Sequence, residues 1–172
     1  MAEGRRDFVV RLAAAAGVAP GVIGLLQGRA DALPRGEGRD MAILEAALAL
    51  EHQAVAVYDF GLARNLVPAG LRAYAVEFRS DHQGHRDTQV AIVEERGGSP
   101  PAALGHYDFG SPAPGDDYLR TALRIEVAAQ RAYSALIRGI ATRDYLLSAA
   151  FILVDEVRHM TVWRRVLGLR IF

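Results

Sequence analysis

The segments ALALEHQAVAVY at 47–58 and ALRIEVAAQRAY at 122–133 share one frame, A-L-x-[LI]-E-x-x-A-x-x-x-Y. Each is followed by a second shared frame, DHQGH at 81–85 and DEVRH at 155–159, and the two pairs are offset by 75 and 74 residues. A chain that repeats itself this way is built from two equivalent supersecondary units, neither of which buries its apolar face alone. Whatever fold is proposed has to place the two units against each other and bring their equivalent polar residues to comparable positions.

The apolar spacing shows what the units are. Asp40 is placed to cap a helix reaching to about Val67, with Leu44, Leu48, Glu51, Val55, Tyr58 and Leu62 at alternating steps of four and three. Pro68 is placed to open a second helix, with Leu71, Ala75, Phe78, His82, His85, Gln89 and Ile92 on one face up to Gly97-Gly98. Asp116 is placed to cap a third helix to about Ala141, with Leu119, Leu123, Glu126, Tyr133, Ile137 and Ile140 inward. After a turn at Thr142 to Asp144, a fourth carries Ile152, Glu156, His159, Trp163 and Val166 inward to Gly168. No stretch alternates with period two, so no sheet is expected. The proline- and glycine-rich segment 99–115 reads as a long connection, and the expected fold is an all-α four-helix bundle of two hairpins joined by one crossover.

Bulk properties narrow the function. The chain has 172 residues and 51% hydrophobic content, enough for one domain with a substantial core. Its 20 basic residues, all Arg, balance 20 acidic ones, so no charge footprint points to nucleic acid. Without Cys there is no disulfide, thiolate metal site or iron-sulfur cluster, and any metal must be held by His and carboxylate.

The first 32 residues have a different character. Paired Arg5 and Arg6 precede an apolar, Gly- and Ala-rich run from Leu12 to Leu26 and an A-x-A pattern at Ala30 to Ala32. That is the layout of an export signal, and Arg-Arg-Asp-Phe-Val-Val-Arg resembles the twin-arginine type. The expected domains are residues 1–32 as a signal peptide or uncleaved membrane anchor and 33–172 as the helical bundle. Membrane association, where the segment is retained, would run through residues 8–26, and the expected location is the periplasm or the periplasmic face of a membrane.

Glu51, His82, His85, Glu126, Glu156 and His159 all fall on inward faces near the middle of their helices. Six polar groups at one level of a core need mutual partners or a cation, because a lone buried carboxylate costs several kcal/mol. This set resembles the ferritin-like superfamily, in which two helices each supply a Glu and two supply Glu-x-x-His. The resemblance covers roughly residues 40 to 168. It implies Glu51 and Glu126 as terminal carboxylates, Glu156 as a bridging carboxylate, His85 and His159 as imidazole ligands, iron (a di-iron pair) or manganese as cofactor, and dioxygen or peroxide as reactant.

His82 departs from that pattern, standing where the repeat and the family call for a second bridging Glu. It is read as a ligand, a second-shell donor or a solvent-facing side chain, and Asp81 as a residue that could turn inward in its place. Tyr58, Tyr133 and Trp163 are expected as core residues with satisfied polar atoms, and His52 and His106 as bystanders. A ferritin-like oxidase or metal binder leads the functional reading. A membrane-held accessory subunit of a larger complex, with a degenerate site, is the alternative, and cage storage comes third.

Overall fold

The computed structural model describes residues 37–171. Among them are four α-helices and one short 3-10 turn: α1 Glu37–Ala63, the turn Ala69–Leu71, α2 Arg72–Glu95, α3 Asp116–Ile137 and α4 Arg143–Val166. No strand occurs among the described residues. The expected signal or anchor at 1–32 and its boundary with the bundle lie outside the described residues.

The helices pair as the repeat requires. α1 packs along α2 and α3 along α4, α1 and α3 meet closely, and α2 and α4 approach only loosely. The crossover runs the length of the bundle, since it leaves α2 with Gly98 beside Met41 near the start of α1 and arrives with Gly115 N–H donating to Leu66 O beyond its end. It is itself packed: Phe109 is buried against Phe60, and the His52 ring bonds Pro101 O at 3.0 Å.

The helix ends correct several expectations. Asp40 does not cap α1, which is already helical at Glu37. Its buried carboxylate instead accepts from the N–H groups of Ala141 and Thr142 and from the Thr142 hydroxyl, fixing the loop into α4. α1 stops at Ala63 rather than Val67, because Asn65 turns left-handed at φ 55. Pro68 precedes a 3-10 turn, so the α-helix proper starts four residues later at Arg72. Gly115, with φ 84, holds the cap position of α3 and Asp116 is its first residue, while the helix closes at Ile137 instead of Ala141. Val166 is 40% exposed, and Leu167, four residues after Trp163, takes the buried place.

Close helix contact is set by one glycine. A Cβ on Gly61 of α1 would lie 2.1 Å from the ring of Tyr118, a fully buried side chain on α3 whose hydroxyl donates to Val57 O at 3.1 Å. A rigid, hydrogen-bonded ring has nowhere to retreat. Gly61→Ala, favourable for an isolated helix, is therefore expected to lower unfolding free energy by about 3 kcal/mol through overpacking, read from urea denaturation. A neutral or stabilising result would show that α1 and α3 are less tightly apposed than described.

Candidate metal centre

All six predicted side chains converge midway along the bundle, and all are buried. Glu51 comes from α1, His82 and His85 from α2, Glu126 from α3, Glu156 and His159 from α4. His82 sits at the centre, which excludes the solvent-facing reading. Its Nδ1 lies 2.9 Å from Glu51 and 3.5 Å from Glu156, and its Nε2 3.4 Å from Glu126. His85 Nδ1 is 3.6 Å from both Glu51 and Glu156, and His159 Nδ1 is 3.4 Å from Glu126.

The surrounding contacts follow the repeat crosswise. Tyr58 on α1 donates to Glu126 on α3, and Tyr133 on α3 donates to Glu51 on α1. Both tyrosines are fully buried core residues, as expected, but their partners are the glutamates of the opposite unit. Asp155 on α4 meets His85 Nε2 at 3.3 Å, and Asp81 on α2 meets His159 Nε2 at 3.1 Å. Asp81 also binds Arg158 at 2.5 Å, so it orients an imidazole from outside and does not turn in to replace a carboxylate. Reading the sequence alone missed this pairing of Asp81 and Asp155, although the signal was present as an Asp four residues before each His in both frames. His52 and exposed His106 take no part.

Burial and neighbouring charge compete at every group. Burial pushes the Glu51 carboxyl up, but His82 and His85 more than offset it and hold it at about 2. Glu126 is also raised by burial, yet His82 and His159 bring it far below the usual range. For Glu156 burial wins, because Glu126 and Glu51 oppose the lowering by His82 and His85, and it rests at about 7. Burial disfavours the His85 cation, but Glu156 and Glu51 raise it to about 10. His82 and His159 are shifted upward in the same way by the carboxylates around them.

Do these residues suit a cation? His85 Nδ1, His159 Nδ1, Glu126 Oε2 and both oxygens of Glu156 are buried without a hydrogen-bond partner. Unpaired polar atoms are costly inside a protein, and five of them face one another here. The ligand atoms fall into two overlapping sets, Glu51-His82-His85-Glu156 and His82-Glu126-Glu156-His159, each with its atoms within 4.8 Å of one another. The donor set fits a pair of cations sharing Glu156, with His82 within reach of either, and its imidazole and carboxylate chemistry suits iron, manganese or zinc.

The metal-free protein carries a pH signature. Folded His85 keeps its proton to about pH 10, whereas its ordinary pKa is 6.5. Between those values the folded state holds more protons than the unfolded one, so stability falls as pH rises. Thermal melts of the metal-free protein are expected to show Tm declining from pH 7 to 10, with a shallower decline in His85→Gln. Equal slopes would contradict this account.

The comparisons agree with the architecture. The ferritin-like domain model matches residues 39–169. A crystal structure of a conserved hypothetical protein from Mycobacterium tuberculosis aligns with a TM-score of 0.72 at 27% identity, covering 77% of this chain and 99% of that one. A crystal structure from Bacillus anthracis, described as ferritin-like, diiron-carboxylate proteins, aligns with a TM-score of 0.64 at 20% identity, covering 87% and 99%. No curated protein matches the sequence. With the model spanning most of the chain and the bundle in place, this protein belongs to the ferritin-like domain family.

Proposed function

We propose that the chain is an exported ferritin-like metalloprotein that holds two iron or manganese ions inside its bundle and takes part in redox chemistry with dioxygen or peroxide. The observation that carries this reading is the pair of overlapping ligand sets joined by Glu156, whose two oxygens are both buried and unpaired. The diiron-carboxylate description of the Bacillus anthracis structure supports it.

In this reading Glu51 and His85 hold one ion, Glu126 and His159 the other, and Glu156 and His82 stand between them. When bound, the ions would supply electrons for reducing dioxygen or peroxide. The chain's own part is positional. Tyr133 and Tyr58 fix the rotamers of Glu51 and Glu126, while Asp155 and Asp81 fix the ring orientations of His85 and His159 so that each Nδ1 faces inward. The twin-arginine pattern at Arg5 and Arg6 supports export, by a route that suits proteins loaded with metal before crossing.

A second reading, a membrane-held accessory subunit, draws support from one observation. Leu147, Phe151 and Val154 line an exposed face of α4, with Phe151 73% exposed.

Metal analysis of the folded protein, purified without chelator, decides the leading reading. About two ions per chain are expected in wild type, and Glu156→Ala should lose both because both sets use it. Asp155→Ala is expected to weaken affinity by about 10–100-fold while leaving the ligands in place. His82→Glu, which restores the carboxylate of the repeat, should tighten binding, read as higher occupancy than wild type at sub-saturating metal. Wild-type protein that is helical yet free of metal, and stays so when iron or manganese is added, would defeat the metalloprotein reading.

A further inference from the structure

The second shared frame differs between the units at one more place than His82: Gly84 stands on α2 where the repeat, 74 residues on, puts Arg158 on α4. Arg158 reaches across the loosely packed edge between these two helices. One terminal nitrogen donates to Glu77 at 2.9 Å, and the other lies 2.5 Å from Asp81 Oδ2 and 3.4 Å from Asp155 Oδ1. Gly84 sends nothing back. A Cβ there would meet no neighbouring element within 4 Å, so the edge is bridged from one unit only.

The two aspartates that Arg158 joins are those that hold the histidines. Asp81 Oδ2, the oxygen paired with Arg158, also accepts from His159 Nε2 at 3.1 Å. Asp155 turns one oxygen to Arg158 and the other, Oδ2, to His85 Nε2 at 3.3 Å. A continuous chain of contacts therefore runs from His159 through Asp81, Arg158 and Asp155 to His85, with a single guanidinium at its middle. The guanidinium is 44% exposed, so its ion pairs are screened and add little to stability. Its planar fork fixes direction instead. With that cation removed, two carboxylates that share one nitrogen repel each other and are free to turn toward water.

We propose that Arg158 is a positioning residue for both halves of the centre. By fixing Asp81 and Asp155 together it aims Nδ1 of His159 and Nδ1 of His85 inward, so both imidazoles depend on one side chain of the second unit. The orienting role stands on these contacts, and only its effect on ion affinity rests on the metalloprotein reading.

The test compares Arg158→Gln and Arg158→Lys with wild type in the full chain. In metal-free protein, nitrogen NMR of the imidazoles should show the Nε2–H signals of both His159 and His85 shifted in Arg158→Gln and exchanging faster with water, at a melting temperature close to wild type. Arg158→Lys, which keeps the cation without the fork, should fall between the two. A change confined to His159, the neighbour of Arg158 in sequence, would overturn the joint role. Two unmoved signals would do the same, whether or not the variant melts earlier, and so would a lysine variant no better than glutamine. With Mn2+ added, Arg158→Gln is expected to weaken the affinity for both ions by about 10-fold, the low end for a residue outside the ligands. Weakening at one ion only, or none in a variant whose imidazole signals have moved, would overturn its effect on the centre. Failure of the wild type to bind Mn2+ would count against the metalloprotein reading alone, because the imidazole signals are read without metal.

Discussion

Three glutamates at one level of a helical core are the constraint on which the rest of this protein depends. Each buried carboxylate loses hydration worth several kcal/mol, and three in contact also repel one another. The compensation visible in the structure is the histidine set: His82 between all three carboxylates, His85 and His159 on the flanks. Two tyrosine hydroxyls supply the remaining donors to Glu51 and Glu126. Glu156 receives no such donor, and burial together with the charges of Glu126 and Glu51 outweighs the lowering by His82 and His85, so it is the group most in need of a cation.

The tyrosine and aspartate contacts that support the cluster all cross between the two repeat units. Tyr58 serves Glu126 and Tyr133 serves Glu51, while Asp155 serves His85 and Asp81 serves His159. Neither hairpin alone therefore supplies the tyrosine and aspartate partners of its own glutamates and histidines. The apolar contact of α1 with α3, drawn close at Gly61 and Tyr118, has to form for the polar network to be satisfied. Networks of this kind couple their members, so disruption of one bond is felt at the others. The looser α2 and α4 side is bridged outside the core by Arg158 to Glu77 and Asp81, exposed pairs of the sort that contribute little to stability. The α1–α3 edge is the tight side of the bundle, and the α2–α4 edge the loose one.

The repeat explains what could be read from sequence. Inward positions of Glu51, His82, His85, Glu126, Glu156 and His159 follow from helical periodicity, and a 75-residue echo tells which residues are equivalent. Helix ends were less legible, because the tertiary structure redirects capping groups: Asp40 satisfies a loop about a hundred residues away, and Asn65 ends α1 by its backbone. The crossed pairing was hidden for a different reason. A frame such as D-x-x-x-H suggests that Asp81 and His85 act together along one helix, since i and i+4 residues are neighbours. In the bundle each Asp binds the other unit's His, a choice that depends on how the hairpins face each other and not on spacing within either.

His82 is where the two units cease to be equivalent, and charge gives the difference a direction. Three carboxylates around two divalent ions leave a net charge of about +1, whereas a fourth carboxylate would bring it to zero. A neutral imidazole in that place favours the lower oxidation state of a bound metal, since every electron removed adds positive charge that the cluster does not match. Without metal the same residue takes the opposite role, as an imidazolium whose two N–H groups face Glu51 and Glu126. One side chain thus stabilises the buried carboxylates by protonation when no cation is present and must release a proton to act as a ligand. In the proposed centre that makes metal affinity rise with pH, and it ties loading of the site to the charge that keeps the empty bundle folded.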